Sequence, residues 1–147
     1  MCVLSARSTD DKYNGSYEEI ARIIKDVIAP QKRKENLKIF FKALVMNHLL
    51  QNGDGHLKNY GILYENSFED ATLAPIYDVI TTTVYIKNDI PALKLGDVKL
   101  WWKEKTYQTF AKLSCSLSNK EYDEILDECK NAILITKKEI DEFKSGD

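Results

Sequence analysis

The sequence predicts a mainly α-helical domain with one small β-hairpin. Two observations carry this prediction. Apolar residues recur at helical spacing through most of the chain, and three of the segments open on a capping-box signature. Two short extended runs, YGILY and TLAPIYD, flank the turn-prone ENSFEDA, which is the pattern of a hairpin. The length of 147 residues suits one domain, and a chain of that size buries roughly 68–70% of its unfolded surface, enough for a single core.

The elements follow in order. Residues 1–12 are polar and read as a loose N-terminus, so the folded domain is expected over 13–147. Ser16 with Glu19 caps a helix whose Ile20, Ile23, Ile24, Val27 and Ile28 share one face, and Pro30 is expected to end it. A second helix covers KENLKIFFKALVMNHLLQN, with Leu37, Phe40, Phe41, Leu44, Val45, His48 and Leu49 as its apolar stripe. On that stripe His48 reads as a core histidine. The hairpin comes next. VITTTVYI, rich in β-branched residues, fits strand or loop. NDIPALKLGD, with Pro91 and Gly96, reads as irregular. WWKEKTYQTFAKL is helical, and adjacent Trp101 and Trp102 cannot both face the core from one helix. Ser118 with Glu121, and Thr136 with Glu139, predict two more helix starts.

Bulk properties exclude several classes. The net charge is −2, from 21 basic and 23 acidic residues, which gives no electrostatic footprint for direct nucleic-acid or membrane-surface binding. The run QKRKENLK clusters positive charge, as in a solvated helix start or a face for an acidic partner or tRNA. No apolar run spans a bilayer, and MCVLSARSTDD lacks the apolar centre of a signal peptide. Cys2, Cys115 and Cys129 are widely spaced with no C-x-x-C pair, as in a reduced, cytoplasmic protein.

The chemistry-bearing stretch is NGDGHLKNYGILY, residues 52–64. It packs Asp54, His56, Lys58 and Asn59 into a glycine-flanked bend between a long apolar helix and a short apolar run. Asp78 follows after the second extended run. Phosphoryl transfer needs such a set: a carboxylate for the acceptor hydroxyl proton, and an amide oxygen and second carboxylate to hold Mg²⁺ against ATP phosphates. D-x-x-x-x-N places a base and a metal ligand at opposite ends of one loop, and a hairpin returns the chain so that Asp78 reaches the same metal. Other readings are poorer. Asp54 suits a tight G-D-G turn on its own. His48 and His56 lack a third ligand at zinc spacing, and no G-x-S-x-G elbow supports a hydrolase.

The joint pattern NGDGHLKN…LAPIYDVI resembles the HipA family of bacterial serine/threonine kinases, and KYNGSYEEIARII is similar to the family's segment ahead of the catalytic helix. The resemblance runs from about Lys12 onward. It implies the C-lobe of a protein-kinase-like fold, with Asp54 as catalytic base and Asn59 and Asp78 as Mg²⁺ ligands. It places His56, Leu57, Lys58, Asn59, Tyr77 and Asp78 at the ATP site. By the same resemblance the substrate is a protein, such as an aminoacyl-tRNA synthetase, and the chain is the toxin of a toxin–antitoxin pair restrained by a HipB-like antitoxin. Small-molecule kinases share the G-D-x-x-x-x-N loop, but their second aspartate sits in an I-D-[FW] context rather than IYDVI.

The chain also departs from the family pattern. About fifty residues precede Asp54, they read as helices, and the sequence holds neither G-x-G-x-x-G nor a P-loop. The phosphate loop and ATP lysine of an N-lobe are therefore expected from elsewhere. Three alternatives stay open: a split kinase completed by an N-lobe-bearing partner chain, a truncated chain or gene remnant, or a catalytically inactive lobe kept for interaction and regulation.

Overall fold

The computed structural model describes residues 1–146, with backbone alone for Thr9 and Phe68. The main elements are α1 (Tyr17–Val27), α2 (Pro30–Leu49), a two-stranded antiparallel sheet of β1 (Ile62–Leu63) and β2 (Thr72–Leu73), α3 (Glu104–Leu113) and α4 (Asn119–Ser145). Short 3₁₀ turns occur at Val3–Ser5, Thr9–Asp11, Leu57–Asn59 and Phe68–Asp70. The predicted class, mainly α with a small hairpin, is the observed one.

α2 is the axis. It packs against α1, α4 and β2. Its Leu37, Phe40, Phe41, Leu44 and Val45 are all buried. Phe40 meets Tyr60 and Phe110 edge-on, with ring centroids 5.4 and 6.2 Å apart. Burying each such large side chain contributes roughly 1.5–3 kcal/mol. α1 starts where Ser16 Oγ accepts the Glu19 N–H at 3.2 Å, and it lays Ile20, Ile24 and Ile28 against α2 with no exposure. Asn36, buried on α2, takes the Leu73 N–H at 2.6 Å and the Thr72 hydroxyl at 2.8 Å on Oδ1. That one amide fixes the hairpin to the helix. The irregular 79–100 segment is pinned at its far end by Tyr17 N–H to Lys94 O (3.0 Å) and Lys94 N–H to Gly15 O (3.1 Å).

Several expectations are corrected. Residues 1–12 are not a loose tail throughout: Met1 and Cys2 lie in the core, and the Met1 amino group donates to Tyr60 O at 2.6 Å. α1 already ends at Val27, and Pro30 opens α2 as its first helical residue, where a missing N–H costs nothing. Thr136 and Glu139 start no helix. α4 runs unbroken through 27 residues, because no glycine or proline interrupts 119–145 and a T-x-x-E spacing inside a continuing helix has no free N–H to cap. Of the two alternatives left open for VITTTVYI, strand and loop, the chain takes the loop. Tyr85 and Ile86 N–H turn back onto Thr82 O, both at 2.9 Å. Trp102 is buried and Trp101 half-buried, and both precede α3 rather than belong to it.

The three cysteines are free and buried, and burial pushes the Cys115 thiol up to about 12 and the Cys129 thiol up to about 11. No helix among the described residues is long and apolar enough to cross a membrane.

At the head of α4, Ser118 and Glu121 form the predicted capping box. Lys34 and Lys38 Nζ sit 2.9 and 3.1 Å from Glu121 Oε1, tying α4 to α2. The Lys34 ammonium, and then the Ser118 N–H, hold the Glu121 carboxyl far below its ordinary 4.5. A carboxyl whose folded-state pKa is depressed stabilises above its unfolded pKa and loses that contribution as pH falls. Glu121→Gln is therefore expected to lower the thermal midpoint at neutral pH. The gap from the parent protein closes as pH drops below 4.5, and melting curves across acid pH check it.

Candidate functional site

The site grows from the last turn of α2. Beyond Leu49 the chain turns sharply, with Gln51 left-handed at φ 52°. Asn52 is buried and bonded through both ends of its amide. Its amide donates to Asn47 Oδ1 (2.8 Å) and to Asp78 O (3.1 Å), and its Oδ1 accepts the Asp54 N–H (3.1 Å). One side chain thus links the helix, the loop and the returning hairpin. Gly53 N–H donates to Thr82 Oγ1 at 2.7 Å. A Cβ on Gly53 would stand 2.0 Å from Asp89 Oδ2, so this position has no room for a side chain.

The Leu57–Asn59 turn follows. Asn59 is buried; its Oδ1 accepts the His56 N–H at 2.8 Å and its Nδ2 donates to Asp78 Oδ2 at 3.2 Å. Asp78 is exposed and sits in the left-handed region at φ 62°, a conformation that aspartate and asparagine tolerate better than most residues. The hairpin register, Ile62 opposite Leu73 and Leu63 opposite Thr72, sets how far along the returning chain Asp78 falls. Asn59 and Asp78, 19 residues apart, thus meet side by side, and Asn52 ties the Asp54 backbone N–H and the Asp78 carbonyl to one point.

The other sequence-predicted residues divide. Tyr77 is exposed and its hydroxyl donates to Lys58 O at 2.7 Å, closing the hairpin over the turn. Lys58 itself is exposed. His56 is buried, and its Nδ1 is without a protein partner. Leu57 does not join them. It has no exposure, its N–H donates to Lys12 O at 3.1 Å, and its side chain packs beneath Gly15. It anchors the loop rather than facing outward.

Sequence reasoning missed two neighbours. Tyr13 donates its hydroxyl to Asp54 Oδ1 at 2.7 Å, and its ring meets His56 edge-on with centroids 5.3 Å apart. Lys12 Nζ lies 4.6 Å from the Tyr13 ring centre. Its pKa is raised, first by the Tyr13 phenol and further by the charges of Asp54 and Asp78. Nothing in the spacing joins residues 12–13 to 54. The only sequence signal is that a basic and an aromatic residue stand together just ahead of a capped helix. Beyond Asp54 lies a cleft of about 540 Å³, bordered by Tyr13, Gly53, Asp54, Ile80, Tyr85 and Asp89.

The donor set fits Mg²⁺, which takes oxygen ligands, commonly one or two carboxylates together with phosphates. Asp78 offers an exposed carboxylate. Asn59 Oδ1 uses one lone pair on His56 N–H and keeps a second.

Fold and site together define a mainly helical lobe that presents an oxygen-donor cluster between a helix-ending loop and a hairpin. Residues 1–136 match the family described as HipA-like C-terminal domain, and the chain belongs to that family. A Sinorhizobium fredii (strain NBRC 101917 / NGR234) protein named "Putative kinase Y4dM" is 35% identical over 92 residues, covering 61% of this chain and 21% of that protein. The matched part is thus about a fifth of the length of this curated relative.

Gly53→Ala is expected to cost about 1–3 kcal/mol, the usual penalty of forcing atoms into a filled space. Its Cβ must displace the Asp89 carboxylate from Thr82 and Gly53. Chemical denaturation measures the loss, and accelerated amide exchange confined to 51–59 and 82–89 localises it.

Proposed function

We propose that this chain is the catalytic-loop-bearing lobe of a HipA-type serine/threonine protein kinase. The observation that carries the reading is the Asn59 Nδ2 to Asp78 Oδ2 hydrogen bond at 3.2 Å, which sets an amide and a carboxylate side by side five residues beyond an aspartate on the same loop. Family membership supports it.

In this reading Asp54 is the base. Tyr13 holds Oδ1, which leaves Oδ2 for the proton of the acceptor hydroxyl. As that proton moves, the hydroxyl oxygen bonds the γ-phosphorus and the bond from phosphorus to the ADP oxygen breaks. Asn59 Oδ1 and the Asp78 carboxylate would hold Mg²⁺, which would supply neutralisation of the phosphate charge. His56, Lys58 and Tyr77 border the nucleotide. The cleft beside Asp54 receives the acceptor segment, and its exposed Ile80, Tyr85 and Ile86 suit a protein rather than a sugar or amino alcohol. The phosphate loop and its lysine come from an N-lobe, in a partner chain or a further segment. The target is a cytoplasmic protein such as an aminoacyl-tRNA synthetase, and a HipB-like antitoxin restrains the toxin so formed.

Asparagine variants keep the backbone conformation at both aspartates and isolate the charge. With the N-lobe supplied, Asp54→Asn is expected to lower phosphoryl transfer from labelled ATP on the order of 10²–10⁴-fold, the usual worth of a general base. Asp78→Asn is expected to abolish saturable Mg-ATP binding by calorimetry. Tyr13→Phe, which only frees Asp54 Oδ1, is expected to cost about tenfold in turnover. Full turnover in Asp54→Asn, or Mg-ATP affinity indifferent to Asp78, sinks the reading.

A further inference from the structure

The cleft of about 540 Å³ beside Asp54 has one wall that belongs to an apolar loop, residues 80–90. That loop is held in place. Thr83 Oγ1 donates to Gln51 Oε1 at 3.0 Å, Trp101 Nε1 donates to Asp89 O at 3.0 Å, and Asp89 N–H closes onto Ile86 O at 3.2 Å. Between these ties Val84, Tyr85 and Ile86 stand in solvent at 73, 88 and 56% exposure. Three large apolar side chains in a row, on a hydrogen-bonded loop, are thus left out of the core. Exposed apolar groups gathered in one place mark contact surfaces. Tyr85 and Ile86 face the cleft together with Ile80.

The charge that lines this cleft has one sign. Asp54 and Asp89 both line it, and no lysine or arginine does. Lys12 and Lys99 each contact Tyr13, one 4.6 Å from its ring centre and the other donating to its carbonyl at 2.9 Å, yet neither borders the cleft. Asp89 is half-buried and fixed: Oδ2 accepts from Thr82 Oγ1 at 2.5 Å and Oδ1 accepts the Ile90 N–H at 3.0 Å. Each oxygen keeps accepting capacity, because a carboxylate offers about four lone-pair sites. Asp89 forms no ion pair among the described residues. Its position relative to Asp54 is close. A Cβ on Gly53 would stand 2.0 Å from Asp89 Oδ2, so this carboxylate lies against the residue next to Asp54. An extended chain advances roughly 3.3 Å per residue. A side chain that meets Asp89 therefore belongs to a residue within about two of the one that meets Asp54.

We propose that this cleft binds an extended segment of the acceptor protein that sets a lysine or arginine against Asp89, close to the acceptor hydroxyl, and an apolar side chain against Tyr85 and Ile86. That the segment carries the acceptor rests on the kinase reading. Its basic and apolar character rests on the lining of the cleft. An acidic segment is rejected, because it would bring like charge against both Asp54 and Asp89.

The test uses the whole chain, without nucleotide, and a pair of labelled peptides. Each peptide carries a serine with a leucine beside it. One has arginine next to this pair and the other citrulline, which keeps the shape and removes the charge. Fluorescence anisotropy is expected to show saturable binding of both, with the arginine peptide held about three- to tenfold more tightly. Asp89→Asn is expected to erase that preference, and Tyr85→Ser combined with Ile86→Ser to weaken both peptides about tenfold. Equal affinity of the parent protein for the two peptides overturns the proposal, as does no saturable binding of either. An arginine preference that survives Asp89→Asn in a variant melting at the parent temperature overturns it as well. The comparison on the parent protein needs no variant, so it decides the matter even where Asp89→Asn does not fold. An arginine preference without phosphate transfer to the bound serine, once the N-lobe and Mg-ATP are supplied, counts against the kinase reading and leaves the basic and apolar docking site in place.

Discussion

The interaction on which the rest of the molecule depends is the buried pairing of two asparagines, Asn47 near the end of α2 and Asn52 just beyond it. Asn52 donates to Asn47 Oδ1 at 2.8 Å through its side chain and to Asn47 O at 2.7 Å through its backbone. Asn47 in turn donates to the Tyr60 hydroxyl at 3.2 Å. A helix end leaves carbonyls without partners, and a buried end must find them. Here the partners come from the loop itself, so terminating α2 and shaping the loop are one event. Removing either amide strands several buried polar groups at once, each costing about 1–3 kcal/mol. The second link of Asn52, to Asp78 O, carries the constraint across to the returning hairpin.

A scaffold built this way separates two tasks. The apolar part, centred on Phe40 and its ring contacts, holds α1, α2 and α3 together without specifying where any carboxylate goes. The polar part then places the carboxylates to within a hydrogen bond. Asn36 docks the hairpin, Asn52 positions Asp54 and Asp78, and Thr82 fixes Gly53. Each is a short side chain with few rotamers, so little conformational entropy is lost in holding it. Placement by buried amides on a helix is also stiffer than placement by exposed ion pairs, which are screened and cost side-chain freedom.

Much of this was legible in the sequence, for physical reasons that differ by element. The capping boxes at Ser16 and Ser118 are local signals, and α1 and α4 start where those signals put them; the apolar spacing of α2 marks its buried face, but the helix runs Pro30–Leu49 rather than over the expected 34–52. Thr136 with Glu139 carries the same letters and means nothing, because a cap acts only where the helix has begun. The hairpin was readable because turn and strand signals agreed, and it brings Asp78 against Asn59. Leu57 was not separable from its neighbours, since burial within a short turn has no periodicity to betray it. Asn36 and Asn47 carry no local sequence signal of their role, and only the fold shows that they are buried. Tyr13 is the least accessible of all, since its bond to Asp54 spans 41 residues with no intervening pattern.

The left-handed backbone at Asp78 has a consequence for how this chain changes over time. At φ 62° most side chains clash with their own backbone, whereas aspartate, asparagine and glycine fit. If selection for the carboxylate relaxed, drift at position 78 would be channelled toward asparagine or glycine, because the fold itself filters out the bulkier replacements. A lineage that had given up the chemistry would therefore carry a legible mark at this one codon while the Asn47–Asn52 pair, needed to close α2, stayed in place.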